Sequence, residues 1–178
     1  QEVELLKIPI LYDLIADYMR DGLSVVVFLN FKASLEALNK MVLTKGYWPD
    51  CRAEGWRDDY PSVIYGGQSE EDRERHIQDF QEGKTQLLFS TIQAGGVGIN
   101  LHDTEGSAPR VSLICPSFSA IDLKQALGRI HRAGGKSPVM QKLVFAKDTA
   151  EEHVCRAVRV KLNNISTIND KDVTPCGI

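Results

Sequence analysis

Ser24-Val25-Val26-Val27-Phe28-Leu29 is a short unbroken apolar run, rich in β-branched residues, with the composition of a strand buried on both faces. Helical periodicity flanks it. Upstream, apolar residues at 8, 11, 14, 15, 18 and 19 form a stripe that Asp21-Gly22 ends. Downstream, Leu35, Leu38, Met41 and Val42 repeat the period within 31–44, and Gly46 closes it. The alternation then continues. A brief strand over 62–65 leads through Gly66-Gly67-Gln68 into a helix capped by Ser69. Glu70, Glu71 and Asp72 fill its first turn, where the helix dipole favours acids, and Gly83 ends it. Strands follow at 86–90 and 110–115, the latter halted by Pro116, with a glycine-punctuated stretch over 91–100 between them. A helix around Gln125, a strand over 139–146 and a helix from Thr149 to about residue 164 complete the order. The sequence α-β-α-β-α-β-β-α-β-α predicts an α/β fold, a largely parallel sheet covered by helices on both faces. Ligands of such sheets gather beyond the carboxyl ends of the strands, so the glycine turns are expected to converge on one rim.

With 178 residues, 43% of them hydrophobic, the chain can bury one sizeable core. No apolar run reaches the length of a membrane span. The start, Gln1-Glu-Val-Glu, has neither an initiator Met nor a signal sequence and reads as a fragment of something longer. Cys51, Cys115, Cys155 and Cys176 lack metal-type spacing and read as reduced thiols of an intracellular protein. His102, His131 and His153 are equally scattered, so no metal site is expected. The net charge of −3 disfavours a surface that binds nucleic acid all over, but the acids cluster in the helix after Ser69 and leave room for a local basic groove. The segment 47–61, with Trp48 and Trp56, takes no assignment.

Gln125-Ala-Leu-Gly-Arg-Ile-His-Arg-Ala-Gly-Gly135 carries the most specific signal. On a helix, Gln125, Arg129 and Arg132 fall at i, i+4 and i+7 and share a face, while Leu123, Ala126 and Ile130 pack the other side. Two guanidiniums beside a glutamine form a clamp suited to a triphosphate. Ser119 and Asp122 stand at capping-box spacing upstream, and Gly134-Gly135 can stop the helix downstream. Gly128 costs about 1 kcal/mol within a helix and needs a packing or access reason. In Ser90-Thr-Ile-Gln-Ala-Gly-Gly-Val-Gly-Ile-Asn-Leu101, the glycines let backbone approach a ligand, and Thr91 and Gln93 offer hydrogen bonds. Leu101 stands where a dinucleotide fingerprint needs its third glycine, which disfavours a stand-alone Rossmann enzyme. The turn at Gly67 and Ser69 suits an anion or simple capping, and Asn30 suits a sugar-phosphate contact or a turn. No Walker lysine loop and no aspartate-glutamate box occur in the chain, so its arginines are expected to complete a site held elsewhere.

With these motifs, the chain resembles the second, C-terminal RecA-like domain of superfamily-two helicases and translocases, most nearly the Swi/Snf type. Similar strings also occur in helicases of phages and large DNA viruses. The likeness covers roughly 20–160. Val25 to Asn30 resembles motif IV, Tyr65-Gly-Gly-Gln-Ser69 the following turn and helix, Thr91 to Leu101 motif V, and Gln125 to Gly134 motif VI. Three departures stand out: Gly128-Arg129 replaces the usual Asp-Arg, Gly135 replaces a Gln, and Pro116-Ser-Phe-Ser119 replaces a Trp-Asn-Pro segment.

The resemblance implies a RecA-like three-layer sandwich over 21–165, with 1–20 a helix or linker from a preceding domain and 166–178 a loose tail. It implies an ATP-dependent motor acting on nucleic acid, DNA before RNA, with ATP and Mg²⁺ shared with an N-terminal RecA-like partner domain that holds the metal. Arg132 becomes the finger on the γ-phosphate, Arg129 its assistant, and Gln125 the link to domain closure. Gly98 and Asn100 lie near the nucleotide. Asn30, Thr91 and Gln93, with the amides of Gly67 and Ser69, hold the nucleic-acid backbone. The competing expectation is a degenerate, non-catalytic RecA-like module that binds nucleic acid or protein.

Overall fold

The computed structural model describes residues 1–45, 61–95, 99–104, 106, 109–117, 119–131 and 134–169, apart from the side chains of 95, 159 and 161–169. In chain order the elements are α1 (Glu2–Leu6), α2 (Ile8–Arg20), β1 (Ser24–Leu29), α3 (Lys32–Lys45), β2 (Ser62–Ile64) and α4 (Glu70–Gln81). Then come β3 (Leu87–Thr91), α5 (Ile92–Gly95), β4 (Arg110–Ile114), α6 (Ala120–Ile130), β5 (Val139–Leu143) and α7 (Ala150–Asn169). The described strands form one parallel sheet in the order β2-β3-β1-β4-β5.

Strand periodicity divides the core into two layers. Val25 aligns with Leu87 and Val111, and Val27 with Phe89 and Leu113. These rows pack with Leu11, Ile15 and Met19 of α2 and Leu35, Leu38 and Val42 of α3. The alternate residues, Val26, Phe28, Leu88 and Ile114, meet α4, α5, α6 and α7 through Phe80, Ile92, Leu123, Ala126, Ile130 and Val154. Helices on both faces of a parallel sheet make the RecA-like three-layer sandwich. β1 is buried along its whole length, as its composition requires.

Several boundaries differ from expectation. β5 ends at Leu143 rather than 146, because β4, its one partner in the sheet, stops before Pro116. Val144 N–H donates a last bond to the Ile114 carbonyl (2.9 Å), and the chain then leaves the sheet. α7 runs on to Asn169, past the expected end near 164. The short helices α1 and α5 appear where no helix was expected. Segment 47–61 falls outside the described residues up to Tyr60, as do Gly46 and the tail from 170. Among the described residues, no helix is long and apolar enough to cross a membrane.

The stretch 1–20 is tied into this domain by buried polar groups. Lys7, 3% exposed, donates to the Val144 carbonyl at 2.9 Å and pairs with Glu151 at 2.7 Å. Glu151 in turn accepts from Ala146 N–H at 2.9 Å. Removing one member of a buried pair strands the other charge, whereas replacing both is often neutral. Lys7→Met should therefore lower stability by about 3 kcal/mol in urea titrations, and Lys7→Met with Glu151→Gln should recover most of the loss. Equal losses in the single and double variants would contradict that account.

Candidate functional site

Five of the expected site residues come together beyond the carboxyl ends of the strands. Asn30 follows β1, Gly67 and Ser69 follow β2, and Thr91 and Gln93 lie at the end of β3 and in α5. Neighbouring strands bring them to one rim. A cavity of about 340 Å³ opens there, lined in part by Asn30, Phe31, Gln93, Pro116 and Asp122. Gly67 has φ +91, a left-handed conformation that explains the glycine. Gln68 holds the same turn by accepting from Tyr65 N–H (3.1 Å) and donating to the Val63 carbonyl (3.0 Å).

Some of these groups have internal duties. The Ser69 hydroxyl caps α4, accepting from Asp72 N–H at 3.1 Å and donating to the Asp72 carboxylate at 2.9 Å. Asn30 donates its side-chain amide to Glu4 (2.7 Å) and to the Pro116 carbonyl (2.8 Å). Glu4 is 2% exposed and also accepts from the N–H groups of Asn30 and Phe31. A carboxylate from α1 thus holds the turn that leads into α3, and Asn30 serves as a turn former. Lys32 sits over the Tyr65 ring at 4.1 Å, adding a cation and an aromatic face to the rim. Neither Glu4 nor the Lys32–Tyr65 pair carries a local sequence signal, because the partners lie 26 and 33 positions apart. Cys115, beneath the same rim, is not a nucleophile: burial pushes its thiol up to about 12, against the opposing influence of Lys7.

Of the remaining residues, Asn100, Gln125 and Arg129 lie away from this rim, so the expectation of a single rim is corrected for them. α6 starts at the rim, with Ser119 accepting from Asp122 N–H at 3.2 Å. The capping box is half made, since Ser119 N–H donates to the Ser117 hydroxyl instead. The helix runs away from the rim and ends at Ile130, where His131 turns to extended backbone. It stops before Gly134, at which the sequence placed its end. Arg132 and Gly98 lie outside the described residues.

Gln125 is exposed on α6, and so is Gly128. Arg129 is 8% exposed, and its Nη1 donates to the Ile99 carbonyl at 3.3 Å. Leu101 N–H donates back to the Arg129 carbonyl at 3.0 Å, one that the helix end leaves without an intrahelical partner. Motifs V and VI are thus laced together at the amino-terminal end of β4, where Arg110 donates to the Leu101 carbonyl. Asn100 stays exposed between them. Gln125 and Arg129, expected as neighbours on one accessible face, sit in different surroundings. Among the described residues, no three His, Cys, Asp or Glu side chains come close enough to hold a metal ion.

Residues 6–134 match the model of the helicase conserved C-terminal domain. The chain belongs to that family. A mimivirus protein (Acanthamoeba polyphaga mimivirus) named as an ATP-dependent RNA helicase is 38% identical over 97% of the chain and 30% of its own length. The human SWI/SNF-related matrix-associated actin-dependent regulator of chromatin subfamily A member 1 is 31% identical over 88% of the chain and 14% of its own length. Among solved structures, the C-terminal part of the Fun30 ATPase domain superposes with a TM-score of 0.64 at 28% identity, over 85% of the chain and 45% of that one. The helicase C-terminal domain therefore spans under a third of the length of these two curated relatives. The fold and the superfamily-two, Swi/Snf-like resemblance agree with these matches.

A Cβ placed on Gly128 of this helicase domain meets nothing within 4 Å. Among the described residues no side chain packs where that Cβ would stand. Gly128→Ala should raise the stability of the chain by about 0.5–1 kcal/mol, from helix propensity alone. Thermal melting would check this, and a lower melting temperature would reveal a packing constraint that the backbone geometry does not contain.

Proposed function

We propose that this chain is the second lobe of an ATP-driven nucleic-acid motor, with DNA before RNA as its track. ATP and Mg²⁺ are seated on an N-terminal RecA-like lobe, and this lobe closes over the triphosphate. Arg132 is the finger that meets the γ-phosphate, and Gln125 reports the nucleotide state to the closing interface. Gly98 and Asn100 border the nucleotide. Arg129 assists from within, by holding motif V against the end of α6.

The observation that carries this proposal is the lacing of Ile99 and Leu101 to Arg129, which leaves Asn100, Gln125 and Gly128 exposed to an approaching partner. These residues suit a triphosphate shared between two lobes: they supply amide donors, and α6 carries no competing carboxylate beyond Asp122. Magnesium, held by the N-terminal lobe, would supply neutralising charge at the phosphates. This lobe adds cationic charge that grows in value as charge develops in the transition state. At the rim, Thr91, Gln93 and the amides of Gly67 and Ser69 hold the sugar-phosphate backbone, so binding is insensitive to base sequence. Asn30 shapes that surface through Glu4. Closure on ATP and reopening after hydrolysis then ratchet the two lobes along the strand.

The isolated chain should show no ATP turnover. In the longer protein that includes the N-terminal lobe, Arg132→Ala should lower nucleic-acid-stimulated turnover by about 10³-fold or more while nucleic-acid binding is retained. Stimulation by DNA should exceed that by RNA. Unchanged turnover in Arg132→Ala would return the chain to a non-catalytic binding module, and stimulation by RNA alone would reassign the track.

A further inference from the structure

Three consecutive carbonyls of motif V are each held by a side chain from a different element. Ile99 accepts from Arg129 of α6 at 3.3 Å, Asn100 from Gln81 Nε2 of α4 at 2.5 Å, and Leu101 from Arg110 at the start of β4. The middle link is oriented by the outer one. Gln81 Oε1 accepts from Arg110 Nη2 at 3.1 Å, which fixes the amide so that its N–H faces Asn100. Arg110 is itself 3% exposed and stacks over the Phe80 ring at 4.8 Å. Burial works against its charge, and the nearby Asp103 supports it.

α4 also grips the other end of the glycine stretch. Arg73, two turns before Gln81, donates to the Ala94 carbonyl at 2.8 Å. One helix therefore holds motif V at 94 and at 100, on either side of the glycines. The α4 N-terminus, at Ser69, lies on the rim with Gly67.

We propose that Gln81 is a positioning residue for ATP turnover, holding the Asn100 backbone at the place that residue takes beside the nucleotide. This rests on the assignment of Asn100 to the nucleotide side of the motor. Gln81 touches no substrate; it acts through Asn100, while Arg110 sets which way its amide points. Because the other lobe supplies most of the nucleotide's binding contacts, loss of this link falls on kcat and not on KM.

Gln81→Glu separates the two bonds. It keeps an acceptor for Arg110, now as an ion pair, and has no N–H for Asn100. In the two-lobed protein it should melt no lower than the parent and keep its KM for ATP and its nucleic-acid affinity. Its kcat should fall by about 10-fold or more, as expected for a misplaced reacting segment. Gln81→Met, which removes both bonds without adding charge, should lower kcat at least as much. An unchanged kcat in Gln81→Met overturns the proposal, whatever Gln81→Glu does. Arg132→Ala, assayed alongside, separates the two levels. If Arg132→Ala is inactive while both Gln81 variants turn over normally, the positioning role alone fails. If Arg132→Ala is fully active, the motor assignment fails and takes this one with it.

Discussion

An irregular backbone can be buried against a core only if its carbonyls find donors, and residues 99–101 have no strand or helix of their own to supply them. Ile99 and Leu101 lie in the core with their side chains against α4, α6 and α7. Their carbonyls, and that of Asn100 between them, are met by Arg129, Arg110 and Gln81. The same stretch answers a need of its neighbour, since Leu101 N–H pairs a terminal carbonyl of α6. Arginine suits this work better than lysine. Its planar fork lets Arg110 serve Leu101 and Gln81 at once while its face stacks on Phe80. Two motifs with residues 102–124 between them thereby become one piece.

Much of this was readable from the sequence, and the limits follow from where the physics is local. Short unbroken apolar runs identified the strands buried on both faces, and period 3.6 identified the covering helices, because a helix buries one stripe while a central parallel strand buries both sides. The six-residue run of β1 is buried along its length, as its composition requires. Burial and capping of α6 were visible in Leu123, Ala126, Ile130 and Ser119. Its end was not. Helical spacing put Arg132 on the Gln125 face, but the helix stops at Ile130, where the incoming Leu101 N–H occupies the Arg129 carbonyl. That contact joins residues 28 positions apart, and no window along the chain contains it. The same holds for Glu4 on Asn30 and for Gln81 on Asn100: a glutamate near the start and a glutamine late in an acidic helix look like surface residues until the fold closes.

The amino-terminal segment shows how charge is managed beneath a rim assigned to anion binding. Glu4 would repel a phosphate if it were exposed, but it is enclosed and satisfied by N–H groups of Asn30 and Phe31 and by the Asn30 side chain. Glu151 is likewise answered by Lys7 and by the Ala146 amide. Each carboxylate organises backbone while its field is cancelled close by. Lys32, steadied on Tyr65 and 3.9 Å from Glu36, brings positive charge to the surface of the rim.

The two ends of the domain are not independent, because α4 touches both. Ser69 caps it at the rim, Arg73 holds Ala94 near its start, and Gln81 holds Asn100 at its end. A helix of 12 residues is about 18 Å long and resists compression along its axis. That length lets one element fix motif V at two points, Ala94 and Asn100, while its capped end stays on the rim beside Gly67. The glycines of motif V fall in sequence between those two points, so a single rigid helix sets where the stretch begins and where it ends.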